Sequence, residues 1–294
     1  MTSGVLVLDK PRGPTSHDMV AVARRALGEK RAGHCGTLDP MATGVLVLAI
    51  GQATRLVRFL SADEKHYEAA IRFGRVTATY DATGAVLSES GRRPTRDAVA
   101  TALAEVRGTF LQTPPPYSAK QVGGERAYAL ARRSGEGPVL EPVPVTLHEV
   151  TVTAFDGDVV WLWLRVSAGF YIRSLAHDLG QRLGMGASLE GLRRTRSGEF
   201  GIEDALTVDA LATTEREALA SRLIPMERLL TAVPAVTLTA ESAAKARRGM
   251  DVPTPPAWPH CPALARLLDE RDRLLAIAKP GARAGFLHPF VVLN

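Results

Sequence analysis

Residues 33–44 read GHCGTLDPMATG and place a single carboxylate, Asp39, in a glycine-rich loop. Because a proline disfavours the helical backbone for the residue before it, Pro40 predicts an extended or turn conformation for Asp39. The run VLVLAI that follows at 45–50 is apolar throughout, which predicts a buried strand. A carboxylate at the mouth of a buried strand suits catalysis, and it equally suits an ordinary turn. This stretch alone leaves both interpretations open.

The composition is typical of a soluble globular protein, since 46% of the 294 residues are hydrophobic and 23% are charged. This length is enough for one large domain or for a large and a small one. The two cysteines, Cys35 and Cys261, match no metal-binding spacing, so neither a structural zinc site nor a disulfide framework is expected. The apolar run at 4–8 is too short for a signal peptide or a membrane span. We therefore expect a cytoplasmic protein without membrane attachment.

The chain is basic, with a formal net charge of +5, and most of its cationic residues are arginines. Arginine suits bidentate contacts with phosphate and stacking on bases, so the balance indicates a polyanionic partner. A GC-rich coding sequence produces the same arginine excess, and both explanations stay open. The densest cationic cluster is LRRTRSG at 192–198, where Arg193 and Arg194 are candidate phosphate contacts.

Hydrophobic periodicity predicts the main elements of the large domain. A helix is expected at 16–28, opened by a threonine or serine cap and closed by glycine. A second helix is expected at 94–107, and the alternation at 65–73 predicts a strand. Two further strands are expected at 145–155 and 159–167, of which the second is apolar enough to be central.

The remaining segments predict a helix followed by a small β-rich domain. Residues 207–230 have a helical pattern, and the proline-containing stretch after them resembles a linker. Short strands are expected beyond it at 236–238, 274–277 and 291–293.

Two side chains on the predicted elements are chemically informative. Tyr67 begins the apolar face of the strand at 65–73, where its ring fits either a binding pocket or an ordinary core. Arg173 lies in the first turn of a helix, where the helix dipole disfavours a cation. An arginine in that position needs a carboxylate partner or a bound anion.

Between residues 108 and 144 the chain is rich in proline, glycine and arginine, which is unsuited to a core and too long for a simple connection. Insertions of this kind are usually functional. Its aromatic and basic side chains can stack on bases and meet phosphates. The candidate contacts are Tyr117, Lys120, Arg126 and Tyr128.

Five motifs together resemble the TruB family of tRNA pseudouridine synthases, and they extend over essentially the whole chain. The most specific is GHCGTLDP at 33–40, which is similar to the catalytic loop of the family. The other four, in chain order, are LDKPRGPTS at 8–16, KHYEA at 65–69, PPYSAK at 115–120 and GFYIRSL at 169–175.

The resemblance implies an α+β (mixed α/β) fold with a central, largely antiparallel sheet and flanking helices. It assigns residues 1–232 to a pseudouridine synthase catalytic domain, with an RNA-gripping thumb insertion at about 108–144. Residues 233–294 are then a small β-rich PUA domain that binds RNA.

The resemblance also implies the reaction, which converts the uridine at position 55 in the T arm of tRNA to pseudouridine. The N1–C1′ bond breaks, the uracil turns, and C5 bonds to C1′. No group is gained or lost, so no cofactor or metal is expected, in agreement with the lack of a phosphate-loop or dinucleotide motif. The expected partner is tRNA, bound by a monomer with no obligatory protein partner.

The site residues follow from the same resemblance. Asp39 is the expected catalytic carboxylate, with Arg173 as its partner and Tyr67 stacked on the uracil. The chemical step that Asp39 performs stays open between attack at C1′, attack at C6 and removal of a proton from C2′. Leu192 supplies an apolar wall, and His34 occupies the space that the flipped base leaves. The remaining expected RNA contacts are Lys10, Tyr117, Lys120, Arg126, Tyr128, Arg193 and Arg194.

Three other functions compete with this interpretation. A non-catalytic tRNA-binding or folding chaperone does not require Asp39, Tyr67 and Arg173 together, and all three are present. An N-glycosidic hydrolase usually needs a second carboxylate or a metal near the first, whereas residues 33–44 offer only Asp39. A guide-RNA-dependent synthase of ribosomal RNA carries longer terminal extensions and needs protein partners, and no such extension is evident.

Overall fold

The computed structural model describes residues 3–118, 120–122, 124–127, 130, 133, 138, 140–255, 258 and 262–293. Its α-helices span Ser16–Leu27, Val57–Leu60, Arg96–Glu105, Ile172–Arg182, Val208–Thr213, Arg216–Ser221 and Ala240–Arg247. Short 3₁₀ helices lie at Gly51–Leu56, Ile202–Asp204 and Met226–Arg228. Within this part of the chain, the helices are too short or too polar to cross a membrane.

The strands of the large sheet form the centre of the molecule. They are β1 (Gly4–Lys10), β2 (Ala32–His34), β3 (Thr43–Ile50), β4 (Lys65–Phe73), β7 (Gly108–Gln112), β10 (Val143–Phe155), β11 (Val159–Val166), β12 (Ala187–Ser197), β13 (Phe200–Gly201) and β14 (Leu206–Thr207). Their order is β14-β1-β3-β12-β4-β11-β10-β7, with β2 beside β3 and β13 beside β12. Only the pairs β1–β14 and β3–β12 are parallel among the described strands of this sheet. The predicted α+β fold with a largely antiparallel sheet is therefore confirmed.

The first helix shows how closely local sequence determines structure here. Thr15 accepts a hydrogen bond from the backbone of Asp18, and the Asp18 side chain accepts one from the backbone of Thr15, which makes a capping box. Gly28 ends the helix in the left-handed conformation at φ 63°. The predicted bounds of this helix are confirmed.

Strand β4 places Tyr67 on the inner face of the large sheet. Its residues alternate between buried and more exposed positions, as the sequence predicts. Tyr67 is only 7% exposed and belongs to the apolar core beneath the helices. The prediction that β11 is central is also confirmed, because it lies between β4 and β10.

The boundaries of the predicted insertion at 108–144 need correction. Strand β7 (Gly108–Gln112) pairs with the start of β10 and forms the edge of the large sheet. Both ends of the predicted segment are therefore sheet, and the insertion proper runs from 113 to 142. Within it, the described residues include a two-stranded hairpin of β8 (Gln121–Val122) and β9 (Glu125–Arg126).

The continuous helix predicted for 207–230 is wrong, because it is broken into two short helices with a 3₁₀ turn after them. The break occurs at Thr214, whose backbone is extended at ψ 133°. The Thr214 hydroxyl donates to the Ala210 carbonyl at 2.6 Å, and the Thr213 hydroxyl donates to the Asp209 carbonyl at 2.9 Å. Such side-chain bonds compete with the helical backbone bonds and so favour its end.

A second sheet of five strands lies in the C-terminal part of the chain. Its strands are β15 (Ala235–Thr237), β16 (Val252–Pro253), β17 (Ala265–Leu268), β18 (Leu274–Pro280) and β19 (Phe286–Val292). They are ordered β15-β17-β18-β19-β16. Strands β15, β18 and β19 were predicted from the sequence, whereas β16, β17 and the helix Ala240–Arg247 were not. A further hairpin, β5 (Arg75–Thr77) with β6 (Val86–Glu89), projects from the large sheet.

The two sheets share one apolar cluster. Val5 and Val47 on the outer face of the large sheet belong to it, together with Ile277 and Val291 of the second sheet. The Arg58 guanidinium contacts two aromatic rings that also touch each other, and it lies 4.7 Å from the centroid of Phe59 and 4.7 Å from that of Phe290. The C-terminal sheet is therefore packed against the large sheet.

Candidate active site

Asp39 lies in the loop between β2 and β3, and other parts of the chain hold the backbone of this loop. The amide of Leu38 donates to the Ser16 hydroxyl oxygen at 2.8 Å, and that hydroxyl donates to the Leu38 carbonyl at 2.9 Å. The amide of Ala42 donates to the Asp39 carbonyl at 3.0 Å, which closes the turn that Pro40 predicts. The carboxylate therefore projects from a backbone with few degrees of freedom.

Arg173 binds Asp39 at two points. Its Nε lies 2.8 Å from Asp39 Oδ2, and its Nη2 lies 3.1 Å from Asp39 Oδ1. The arginine side chain is 6% exposed and the aspartate side chain 32% exposed. A buried cation in the first helical turn thus has the carboxylate partner that the sequence analysis expected. Paired charge-assisted bonds of this kind are strong and fix the orientation of both groups.

Two backbone carbonyls also accept hydrogen bonds from Arg173. Its Nη1 donates to the Thr79 carbonyl at 3.1 Å, and its Nη2 donates to the Tyr117 carbonyl at 2.9 Å. The Tyr117 carbonyl belongs to the start of the insertion, so the insertion touches the site through its backbone.

Asp81 is a second carboxylate at this arginine, with Oδ2 lying 3.8 Å from Arg173 Nε. It is 4% exposed, and its Oδ1 accepts hydrogen bonds from Thr79 Oγ1 at 2.8 Å and from the amide and hydroxyl of Thr83 at 2.9 and 2.6 Å. Asp81 was not among the site residues predicted from the sequence. An aspartate flanked by threonines at 79 and 83 and followed by a glycine was the available signal, since it is typical of a side-chain-closed turn.

Tyr67 and Leu192 lie on the neighbouring strands β4 and β12. Tyr67 belongs to the same apolar cluster as Leu38 and Met41 of the catalytic loop, and the partly buried Leu192 packs against that cluster. The assignment of Tyr67 and Leu192 to one site with Asp39 and Arg173 stays a prediction.

A surface cavity of about 480 Å³ lies close to the loop that carries Asp39. Its lining includes Leu192 and Met41 as well as Trp161 and Trp163. Asp39, Tyr67 and Arg173 are absent from its lining. The candidate site is therefore defined by the side-chain geometry around Asp39 rather than by this cavity.

Lys10 does not occupy an exposed position, which corrects its assignment as an RNA contact. The residue is 0% exposed, and its Nζ donates to the carbonyls of Ala42 at 2.7 Å, Pro11 at 2.9 Å and Pro40 at 3.4 Å. Burial lowers the pKa of Lys10 to about 8, although the negative charge of Asp39 acts in the opposite direction. Lys10 supports the C-terminal half of the catalytic loop.

Arg194 requires the same correction. It is 1% exposed, and its guanidinium donates to the carbonyls of Val45 at 2.7 Å, Gly36 at 3.2 Å and Thr37 at 3.4 Å. A side chain so placed cannot reach a phosphate on the surface. Arg194 supports the N-terminal half of the catalytic loop, so the two buried cations hold the loop from both ends.

The other candidate contacts have different surroundings. Arg193 is part-exposed and forms a two-point pair with Asp9, at 2.8 and 3.1 Å. His34 is half-buried at the end of β2, one residue before the fully buried Cys35. Lys120 is exposed. The backbone of Arg126 lies in the hairpin of the insertion, whereas Tyr128 is outside the described residues.

The described residues contain no group of three or more histidine, cysteine or acidic side chains placed to hold a metal ion. Cys35 is 0% exposed, and burial raises its pKa to about 12. Its thiol is therefore unsuited to nucleophilic chemistry at neutral pH.

Comparison with known families agrees with this geometry. Residues 24–172 match the model of the TruB family pseudouridylate synthase N-terminal domain. Residues 173–231 match the model of the tRNA pseudouridylate synthase B C-terminal domain. The division between the two models falls at Arg173, although the structure places this residue against Asp39 of the first segment.

Curated relatives extend over nearly the full length of the chain. The protein named tRNA pseudouridine synthase B of Gloeobacter violaceus is 43% identical, covering 99% of this chain and 98% of its own. The protein of the same name from Mycobacterium bovis is 41% identical, covering 97% and 98%. That from Solibacter usitatus is 46% identical, covering 86% and 87%.

Solved structures show the same architecture. An H/ACA ribonucleoprotein bound to a substrate RNA containing 2′-deoxyuridine contains a chain that is 27% identical, with a TM-score of 0.74 over 99% of this chain and 85% of that one. A protein complex of an archaeal box H/ACA small ribonucleoprotein contains one that is 26% identical, with a TM-score of 0.75 over 100% and 86%. Together with the two family models and the full-length relatives, these likenesses establish that the chain belongs to the TruB family of pseudouridylate synthases.

Proposed function

We propose that this protein isomerises a uridine of tRNA to pseudouridine, at position 55 in the T arm, with Asp39 as the catalytic carboxylate. The observation that carries the proposal is the two-point pair between Asp39 and the buried Arg173. The names of the relatives at 41–46% identity support the choice of tRNA as substrate. The order of the motifs around Asp39, Tyr67 and Arg173 supports the T-arm uridine.

The reaction is balanced without any external reagent. The N1–C1′ bond breaks, C5 bonds to C1′, C5 loses a proton and N1 gains one, so the product is an isomer of the substrate. Asp39 assists the cleavage with one charged carboxylate, which Arg173 holds in a fixed orientation. Because both oxygens are bound on one side by the guanidinium and the aspartate remains 32% exposed, the carboxylate can face a nucleoside on the other.

Tyr67 and Leu192 are proposed to hold the uracil. A flipped base needs a stacking surface to replace the neighbours it has left, and a buried tyrosine ring offers one. Leu192 lies on the adjoining strand and is proposed to supply an apolar wall for the base. Tyr67 is also the group placed to take part in removal of the C5 proton. His34 is proposed to fill the space that the base leaves in the RNA.

The RNA interface is proposed to extend from the catalytic loop to the insertion. Lys120, Arg126, Tyr117 and Tyr128 of the insertion and the part-exposed Arg193 are the proposed contacts, whereas Lys10 and Arg194 are assigned to the loop. Residues 233–294 are proposed to be a PUA-type RNA-binding domain on a catalytic domain of residues 1–232. Because the two parts share an apolar cluster, point variants test this division better than removal of the C-terminal residues.

The protein is proposed to act as a cytoplasmic monomer without an obligatory protein partner. The solved H/ACA relatives are multi-component assemblies, but they are only 26–27% identical. The relatives at 41–46% identity are named as tRNA enzymes. A single purified chain acting on a tRNA transcript is therefore the expected minimal system.

The decisive experiment measures tritium released to water from a tRNA transcript labelled at uridine C5. We expect release by the wild-type protein alone, with no added RNA or protein, and one product site in the T arm when the RNA is mapped with carbodiimide and reverse transcription. Asp39→Asn should release none while binding the transcript with an unchanged Kd. Asp272→Asn is the matched control, because Asp272 is exposed and its φ of 58° suits asparagine.

Two outcomes would overturn the proposal. Tight tRNA binding without tritium release by the wild type would favour the chaperone or the guide-dependent enzyme. Retained turnover in Asp39→Asn would remove Asp39 from the chemistry.

A further inference from the structure

Tyr80 has an unusual backbone. It is one of three non-glycine residues with positive φ among the described residues, at φ 64°. This left-handed conformation is unfavourable for a bulky side chain and persists only where surrounding contacts compensate for it. The neighbouring backbone is held on both sides, since the Tyr80 amide donates to the Thr77 carbonyl at 3.2 Å and the Tyr80 carbonyl accepts from the Leu189 amide at 2.9 Å.

The Tyr80 ring lies flat against the ring of His177. Their centroids are 3.9 Å apart and the planes differ by 8°. Both side chains are half-buried. Burial lowers the pKa of His177 and raises that of Tyr80, so both rings are neutral near pH 7. The contact is thus a stack of two uncharged rings at short range.

Both rings are next to groups that bind Arg173. Tyr80 lies between Thr79, whose carbonyl accepts from Arg173, and Asp81, whose carboxylate faces it at 3.8 Å. His177 follows Arg173 by four residues in the helix Ile172–Arg182, and residues with this spacing share one helix face. The stack therefore joins the turn that receives the guanidinium to the helix that carries it.

We propose that Tyr80 and His177 are positioning residues, whose ring stack fixes the turn at 79–81 against the helix and so holds Arg173 in register with Asp39. The inference deepens the proposed function and rests on it. The position of the helix matters because Arg173 contacts Asp39 through two hydrogen bonds. Both bonds are lost if the helix moves relative to the turn. An unfavourable backbone at Tyr80 is retained because its ring makes this contact.

Variants that remove a ring test the proposal against variants that keep one. His177→Ala removes one ring, and Tyr80→Gly removes the other while relieving the left-handed backbone. We expect each to lower the single-turnover rate of tritium release roughly tenfold, in the range of coupling energies between residues in contact. The Kd for tRNA should stay within about twofold. His177→Phe and Tyr80→Phe should restore most of the rate, because each keeps a flat ring.

The double variant His177→Ala/Tyr80→Gly should lose no more than the worse single variant, since one contact is lost in each case. His66→Ala is the matched control. His66 makes an edge contact with Trp163, with centroids 5.3 Å apart, on the sheet face away from Asp39, and its removal should leave the rate unchanged.

A spectroscopic readout separates this inference from the proposed function. The Nε–H resonance of Arg173, assigned by its loss in Arg173→Lys, should exchange slowly in the wild type and rapidly in His177→Ala. Unchanged rates and unchanged exchange in both ring-deleted variants would overturn the inference and leave the proposed function standing. Equal losses of rate, tRNA binding and melting temperature, without rescue by phenylalanine, would also overturn it. Absence of tritium release by the wild type would instead refute the proposed function.

Discussion

Arg173 and Asp39 meet through two parallel contacts, Nε to Oδ2 at 2.8 Å and Nη2 to Oδ1 at 3.1 Å. The same guanidinium also serves the carbonyls of Thr79 and Tyr117. One side chain thus connects the catalytic loop, the turn at 79–81 and the start of the insertion. Four acceptors in fixed directions require the planar fork of arginine.

Arg173→Lys should therefore abolish most of the activity even though the charge is kept. An ammonium group cannot make the two-point contact, and it leaves buried carbonyls without donors. We expect the single-turnover rate to fall by at least about 100-fold and the free energy of unfolding by about 1–3 kcal/mol. Tritium release and urea unfolding measure the two effects. Near-normal turnover by the Arg173→Lys variant would show that a point charge is sufficient.

Arg194→Met should destabilise the catalytic loop rather than weaken RNA binding. The variant leaves the buried carbonyls of Gly36 and Val45 without their donors, which typically costs about 1–3 kcal/mol of unfolding free energy. The salt dependence of tRNA binding should keep its slope, because no phosphate contact is removed. Arg222→Met, at an exposed helix end, is the matched control. A reduced slope only in Arg194→Met would restore its assignment to the RNA interface.

The reaction rate should decline as the pH rises through about 8. Burial lowers the pKa of Lys10 to about 8, and a neutral amine has too few hydrogens for its three carbonyl acceptors. Stability should change in the opposite direction between about pH 8 and pH 9. Here the unfolded chain still binds a proton at Lys10, with its pKa of 10.5, while the folded chain has released it, so the free energy of unfolding rises with pH.

Single-turnover rates and urea unfolding over this pH range measure the two trends. Lys65 has a pKa lowered to about 8 by burial and contributes to stability with the same sign. Lys10→Met should flatten the rate profile, whereas Lys65→Met should keep it. A wild-type rate that rises through pH 8 would contradict this role of Lys10.

Asp269 should make the C-terminal sheet sensitive to acid. Its hydrogen bond from Arg273 is the main cause that lowers the pKa of Asp269 to about 2, below the ordinary value of 3.8. The stabilisation is fully present above 3.8 and is lost as the pH falls from 3.8 towards 2. Asp269→Asn should therefore be less stable than the wild type at neutral pH and equally stable near pH 2. Denaturant unfolding at several pH values measures the difference, and a gap that persists at pH 2 would contradict it.

The features predicted from the sequence depend on neighbouring residues or on a strict period. Thr15, Asp18 and Gly28 bound the first helix by local capping, and the alternation of β4 placed Tyr67 inward. The need of Arg173 for an anionic partner was also predictable, because the dipole at a helix start disfavours a cation, whereas Asp39 as that partner was implied by the family resemblance.

The features that were missed depend on contacts between distant segments. Arg194 resembled a surface cation because it lies in the cluster at 192–198, yet β12 shifts register on both sides of it, so simple alternation does not give its direction. The burial of Lys10 is not evident from the local sequence, because the Pro40 and Ala42 carbonyls that accept its hydrogen bonds lie about thirty residues away in the chain. Asp81 reaches Arg173 from a turn that no periodicity marks. Strand β7 was not predicted, because it lies at the edge of the sheet and its pattern gives no clear sign of burial. Its apolar residue Leu111 is exposed.

The apolar cluster between the two sheets has a consequence for which RNAs the protein can select by their dimensions. Because Arg58, Phe59 and Phe290 contact one another and one apolar cluster joins the two sheets, we expect the loop at 33–44 and the C-terminal sheet to keep a constant spacing. A rigid protein of this kind selects an RNA by the distance between two features of that RNA. It does not change its own shape to fit the RNA. We therefore expect an RNA of the right sequence but the wrong dimensions to bind either at the loop or at the C-terminal sheet, and not at both. Such an RNA would be bound without being converted.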